Sequence, residues 1–160
     1  MNPSVSIIVP VRNEAGNIQR LFTELPTLCD DQELIFVEGN STDDTWGQLQ
    51  QLRPQFMRQH PGVPLLQQPG KGKADAVWHG FAHAPGDILM IYDGDMTVPA
   101  ADLPAFYAAF AERDARFVFG ARMNRDQEHG AMRFWNTIGN HVFALLWSVL
   151  LRRRVNDTLC

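Results

Sequence analysis

Residues 86–95 read Gly86-Asp87-Ile88-Leu89-Met90-Ile91-Tyr92-Asp93-Gly94-Asp95, a turn followed by an apolar run and then two carboxylates one residue apart. An apolar run this short, bounded by turn residues, has the pattern of a buried strand. Asp93 and Asp95 then stand where that strand emerges. Hard divalent cations take oxygen ligands and keep positions open for substrate phosphates, so an acidic turn in this place suits Mg²⁺ or Mn²⁺ bound to a nucleotide diphosphate. Asp-Gly-Asp is equally ordinary turn chemistry, so its meaning rests on what surrounds it.

Outward from this stretch the chain alternates. Val5-Ser6-Ile7-Ile8-Val9 is a β-branched run ending at Pro10, a first buried strand. From Glu14 to Leu28 the residues Ile18, Leu21, Phe22 and Leu25 recur at helical spacing, with Pro26 disturbing the last turn. Glu33 to Glu38 repeats the strand pattern, and Ser41 or Thr42 can cap a helix that begins near Asp43 and stops near Pro54. Val63 to Gln67 forms a third strand, and Pro69-Gly70-Lys71-Gly72-Lys73 is a Gly-rich loop before a helix from about Ala74 to Ala84. After Ile88–Tyr92, a helix begins near Ala101, is interrupted by Pro104 and continues to about Arg113, and Phe117-Val118-Phe119 makes a fifth strand. Such alternation predicts right-handed β-α-β crossovers, hence an α/β fold with a largely parallel sheet and helices on both faces. Ligands of open α/β sheets collect at the carboxyl ends of the strands.

The strand tips are polar or charged: Pro10 to Glu14, Glu38 to Ser41, Asp93 to Asp95 and Arg122, with Gly72 to Asp75 ahead of the third helix. Each has a bland reading as a helix cap or a solvated charge. Their coincidence on one sheet edge is harder to dismiss.

With 160 residues the chain is long enough for one core, so a single domain over 1–160 is expected. Its 14 basic and 18 acidic side chains give a net charge of −4, which argues against a nucleic-acid partner. Cys29 and Cys160 belong to no C-x-x-C or His-rich cluster, and the histidines, including the His79–His83 pair, show no ligand pattern. No secretory signal opens the chain, and a cytoplasmic location follows as the default expectation.

Ile7 to Glu14, Val37-Glu38-Gly39-Asn40-Ser41-Thr42-Asp43-Asp44-Thr45, Gly72-Lys73-Ala74-Asp75-Ala76, Gly86-Asp87 and Asp93-Gly94-Asp95 fall in an order and spacing that resemble family two glycosyltransferases of GT-A fold. Within that family the chain is most similar to the branch of dolichyl- and polyprenyl-phosphate sugar transferases. The resemblance implies a Rossmann-like catalytic domain that transfers a sugar, with inversion, from a GDP- or UDP-sugar donor to a polyprenyl-phosphate or other membrane-associated acceptor. It implies that Pro10, Asn13 and Glu14 hold the nucleoside and that Glu38, with Gly39 beside it, reads the base or ribose. Gly72, Lys73 and Asp75 lie by the nucleotide, and Asp93 and Asp95 bind Mg²⁺ or Mn²⁺ and the donor diphosphate. Arg122 and Arg133 stand near that phosphate or an acceptor phosphate, so Asp95 and Arg122 are the expected catalytic pair. As the sugar–phosphate bond breaks, the leaving diphosphate gains charge, which a metal and an arginine stabilise most in the transition state. A lipid-phosphate oxygen is already anionic, so a dedicated general base is less necessary.

The chain departs from the family twice. Gly39 replaces the second of two paired acids, and Asn40 follows where glycine is usual, which leaves the choice of base open. Val155 to Cys160 resembles a segment normally followed by more catalytic-domain sequence, so either a C-terminally truncated or an unusually short member is expected. A catalytically silent nucleotide-binding or scaffolding fragment is the alternative reading. A sugar-phosphate nucleotidyltransferase would place a Gly-rich loop after the first strand, where this chain has Pro10-Val11-Arg12-Asn13-Glu14.

Phe134 to Leu151 is rich in apolar and aromatic residues and is followed by Arg152-Arg153-Arg154. Asn136, Thr137, Asn140, His141 and Ser148 interrupt it and are costly in hydrocarbon, which favours an interfacial helix over a spanning one within 131–154. That reading places the protein at the inner face of a membrane. A helix packed on the sheet, or on a second copy in a homo-oligomer, fits the same pattern.

Overall fold

In the computed structural model, residues 2–57, 62–111, 115–118, 120, 145, 146 and 148 are described. The chain divides into two units, Met1–Arg116 and Phe117–Cys160. Among the described residues the first holds four strands, β1 (Val5–Val11), β2 (Gln32–Glu38), β3 (Leu65–Gln67) and β4 (Ile88–Ile91). They form one parallel sheet in the order β3-β2-β1-β4. Its helices are α1 (Ile18–Glu24), α2 (Thr45–Phe56), α3 (Lys73–His83) and α4 (Leu103–Ala111), the last preceded by a 3-10 turn at Ala100–Asp102. In the second unit, Leu145, Leu146 and Ser148 are helical.

The two-residue period of β1 sorts the core. Val5, Ile7, Val9 and Val11 join Leu34, Phe36, Ile88 and Met90 on one face, packed by Ile18, Leu21 and Phe22 of α1, Leu49 and Phe56 of α2, and Leu103 and Tyr107 of α4. Phe22 stacks on Phe56 with ring centroids 4.1 Å apart, tying α1 to α2 over the sheet. Ile8, Ile35, Val37 and Ala76 form a smaller cluster on the other face, under α3. Helices therefore cover both faces, as the alternation predicts.

Chain order runs from β1 outward to β3 and then returns to β4 on the opposite flank of β1. The carboxyl ends of β1 and β4 thus flank the point where strand order reverses, the usual crevice of an open α/β sheet. Pro10 lies inside β1 although a central strand normally excludes proline. The register explains it. Val11 accepts from Gly39 on the β2 side and Ile8 accepts from Tyr92 on the β4 side, so Pro10 turns its missing N–H toward β4. The β1–β4 ladder has already ended at Ile8 and Ile91, and no bond is lost.

Four expectations are corrected. α1 begins at Ile18, not Glu14, because the backbone N–H groups of Asn13, Glu14 and Ala15 donate to Ser41 Oγ, Thr45 Oγ1 and Asp43 Oδ2. Those bonds tie the segment to the loop after β2, and the Asn17 N–H closes a three-residue turn on the Glu14 carbonyl in place of an α-helical bond. Ser41 and Thr42 are accordingly not caps; α2 starts at Thr45 with no side-chain cap bond from Asp44. Pro54 itself does not end α2, which continues to Phe56; the carbonyl that loses its partner belongs to Gln50, a solvent-exposed residue. Finally, Phe117 and Val118 are not strand, and Phe117 is 79% exposed. A three-residue apolar run has strand propensity, but an exposed phenylalanine gains little of the burial that turns that propensity into a strand.

Candidate functional site

The strand tips shape an open cleft of about 230 Å³. β1 contributes Pro10, Val11 and Arg12, with Glu14 beyond them, and the tips of β2 and β3 contribute Gly39 and Gln68. Gly72, Lys73 and Ala76 come from the start of α3, and Asp93, Gly94 and Asp95 follow β4.

Local chemistry fixes this arrangement. Gly94 lies so close to β1 that a Cβ there would stand 2.8 Å from Val11 Cγ1 and 3.0 Å from the Pro10 carbonyl oxygen. Only glycine lets the acidic turn press against the end of β1. Its flanking acids differ in support. Asp95 Oδ1 accepts the backbone N–H of Thr97 at 3.0 Å, a turn within its own loop. Asp93 instead meets Lys73 Nζ at 2.5 Å, an ion pair that reaches across the cleft from α3. Gly72, at φ 87, makes the left-handed turn that starts α3 beside the acids.

A second layer holds the loops. Asn13, at φ 57, accepts from the Thr42 backbone N–H at 2.8 Å and from Thr42 Oγ1 at 3.2 Å. Buried Thr45 accepts from the Glu14 N–H and donates to Asp43, whose carboxyl is held below its ordinary value chiefly by that hydroxyl. Glu14 Oε2 accepts from Asn17 Nδ2 at 2.6 Å. Glu38 is buried, and its Oε1 accepts the Ser41 N–H at 2.5 Å. Asp75 Oδ2 accepts the Gly70 N–H at 2.9 Å, closing the Gly-rich loop.

Of the residues singled out from the sequence, Pro10, Glu14, Gly39, Gly72, Lys73, Asp93 and Asp95 line the cleft. Asn13, Glu38 and Asp75 do not line it; each spends a side-chain oxygen on an internal bond that shapes a loop behind it. Arg122 and Arg133, and the stretch 131–154 apart from Leu145, Leu146 and Ser148, lie outside the described residues. Gln68 is a lining residue that the sequence reading passed over. It is buried, its N–H donates to the Glu38 carbonyl at 2.9 Å, and its Nε2 donates to the Gly70 carbonyl at 3.0 Å. Its position directly after β3 was the available signal, since the strand-end rule applies to that strand as to the others.

Among the described residues no three His, Cys, Asp or Glu side chains converge, so no all-protein cation cage is present there. Two carboxylates on an open cleft with basic neighbours instead match a cation that keeps waters and takes its remaining oxygens from a phosphate. An ammonium already pairs with Asp93, so the position accepts positive charge. The donor set therefore fits Mg²⁺ or Mn²⁺.

Residues 6–156 match the sequence model described as Glycosyl transferase family 2. The chain belongs to that family. Dolichol-phosphate mannosyltransferase of Pyrococcus furiosus is 30% identical over 107 residues, covering 66% of this chain and 29% of the relative. Undecaprenyl-phosphate 4-deoxy-4-formamido-L-arabinose transferase of an Enterobacter species is 27% identical over 128 residues, covering 76% and 37%. A mannosyltransferase from Pyrobaculum calidifontis, solved with GDP-Man and Mn²⁺, superposes with a TM-score of 0.55 at 29% identity, over 68% of this chain and 33% of that one. Glucosyl-3-phosphoglycerate synthase from Mycobacterium tuberculosis gives a TM-score of 0.56 at 21% identity, over 69% and 40%, a likeness of fold alone. The family member described here has the GT-A fold and spans about a third of the length of these relatives.

Proposed function

We propose that this chain carries the donor side of a metal-dependent, inverting glycosyltransferase that moves a sugar from a GDP- or UDP-sugar to a polyprenyl-phosphate or another membrane-associated acceptor. One observation carries the reading: Asp93 and Asp95 share a cleft with Lys73, Gly72 and the tip of β1 at the point where strand order reverses. The names of the relatives support the class of acceptor, and the GDP-Man and Mn²⁺ bound by the Pyrobaculum enzyme support the class of donor.

Asp93 and Asp95 would hold the cation, which supplies charge stabilisation to a leaving diphosphate. Arg12, Glu14, Gly39 and Gln68 wall the cleft away from the acids and would hold the nucleoside, with Pro10 as a rigid floor. Asn13, Glu38 and Asp75 would act behind them by fixing the loops. Lys73 places an ammonium where diphosphate charge would accumulate, and Arg122, with Arg133, would supply the remaining cations from the following segment. Such preorganised positive charge acts most strongly on the transition state, where the leaving group is most anionic.

Calorimetric titration with GDP and UDP, each with and without Mn²⁺, tests the reading. Binding of one nucleotide that requires Mn²⁺ is the expected result, and its absence for both overturns the donor site. If a donor binds but its sugar reaches neither a polyprenyl phosphate nor water, the chain is a nucleotide-binding unit and the transfer claim falls.

A further inference from the structure

The two acids of the cleft are not held alike. Asp95 is oriented by its own loop through the Thr97 N–H, whereas Asp93 is held by an ammonium from another element, Lys73 Nζ at 2.5 Å. The lysine side chain is 61% exposed and that of Asp93 28%, so the ammonium can leave into water without crossing the protein. Lys73 is also the first residue of α3, set by the left-handed turn at Gly72, and its backbone does not need to move for the side chain to swing.

We propose that Lys73 is a placeholder for the divalent cation. Paired with Asp93 it opposes binding of the metal alone. When the metal arrives with a nucleotide diphosphate, Lys73 transfers to the diphosphate and leaves Asp93 free to ligate. This inference rests on the donor-site reading above.

Charge alone gives the direction. A cation that approaches Asp93 by itself must break a charge-assisted contact and then sit beside a displaced positive group. A diphosphate removes both penalties, because it offers the ammonium an anionic partner and screens it from the metal. Metal and nucleotide then favour each other, and the coupling is reciprocal. A merely structural ion pair would behave differently: at this exposure it contributes little stability, and its loss would leave the affinity for the nucleotide diphosphate in saturating Mn²⁺ unchanged.

The test measures free Mn²⁺ by electron paramagnetic resonance during titration of wild type, Lys73→Met, Lys73→Gln and Lys73→Arg without nucleotide. GDP and UDP are then titrated at saturating Mn²⁺. Lys73→Met and Lys73→Gln are expected to bind Mn²⁺ alone roughly fivefold more tightly than wild type, and Lys73→Arg no more tightly. The same two variants should bind the nucleotide diphosphate more weakly in Mn²⁺. Opposite shifts from one substitution are the signature. Unchanged or weaker Mn²⁺ binding in both neutral variants overturns the proposal, as does tightening that persists when Asp93→Asn is added to Lys73→Met. Failure of the donor-site reading shows itself separately, as wild type that binds neither nucleotide in Mn²⁺.

Discussion

Asn13 Oδ1 takes both the backbone N–H and the hydroxyl of Thr42, at 2.8 and 3.2 Å, so the tip of β1 is clasped to the loop after β2 by a single oxygen. The clasp is mutual, since Ser41 Oγ accepts the Asn13 N–H at 3.0 Å. Asn13 holds a left-handed backbone at φ 57, which asparagine tolerates better than most residues because its short polar side chain bonds locally.

Two substitutions separate the clasp from the backbone. Asn13→Gly keeps the left-handed turn and removes the bonds; Asn13→Ala removes the bonds and adds strain. Each lost net bond is worth about 1 kcal/mol, and a strained φ adds about 1 kcal/mol more. Thermal or denaturant unfolding should therefore rank wild type above Asn13→Gly and Asn13→Ala lowest. A reversed order of the two variants would show that the turn, and not the bonding, is dispensable.

Asp93 and Asp95 are expected to act on the metal-dependent part of nucleotide binding. Replacement of either by Asn keeps the shape and removes the charge. Nucleotide affinity in Mn²⁺ should fall by at least about tenfold, the scale of one charged ligand, while any affinity measured in EDTA changes far less. Equal loss in both conditions would mean that the acids shape the cleft and do not hold a cation.

Glu33 sets a pH dependence. Its Oε2 is buried with no hydrogen-bond partner among the described residues, and burial pushes its carboxyl above the ordinary value. The folded state therefore keeps this proton to higher pH than the unfolded chain does. Between the unfolded value and the raised folded one, stability falls as pH rises, and below the unfolded value the effect vanishes. Glu33→Gln removes that slope. The melting temperature of the variant minus that of wild type should grow as pH rises above about 4, the ordinary glutamate range. Asp43 and Asp87, lowered chiefly by side-chain hydrogen bonds from Thr45 and Ser4, titrate the opposite way in both proteins and cancel in the difference. A flat difference would remove Glu33 as the source.

The strands were legible in the sequence because β1 and β2 are apolar runs buried on both faces and β4 is a short apolar run bounded by turn residues, patterns that survive without knowledge of neighbours, although Leu89 and Ile91 of β4 are exposed. Pro10 inside β1 was not, since its tolerance depends on where the β4 ladder ends. The cleft was legible through the same logic, as Asp93, Asp95, Gly72 and Lys73 follow from strand ends and a Gly-rich loop. What stayed hidden was which polar side chains point inward. Asn13, Glu38 and Asp75 are expected at the nucleotide from the sequence, and the bonds from Thr42, Ser41 and Gly70, which tie a side-chain oxygen of each to a loop, carry no sequence signal. Gln68 was missed for the converse reason: a glutamine in a glutamine pair carries no sequence signal beyond its place after β3.

Gly94 and Gly16 make a paired test of the close approach at the acidic turn. A methyl at 94 would stand 2.8 Å from Val11 Cγ1 and 3.0 Å from the Pro10 carbonyl oxygen, whereas one at 16 meets nothing within 4 Å. The 94 contact involves a β-branched side chain and a backbone atom, neither of which can swing away, so the turn itself must shift. Gly94→Ala should cost about 1–3 kcal/mol by overpacking and displace Asp93 and Asp95 from the end of β1, weakening Mn²⁺-dependent nucleotide binding as well. Gly16→Ala, with an ordinary backbone and open space, should be neutral or stabilise by about 0.4–1 kcal/mol through the unfolded chain, with binding intact. Unfolding curves and nucleotide titrations on the two variants check both halves. Unaltered binding in Gly94→Ala would mean that the acids reach their partners without the tight contact to β1.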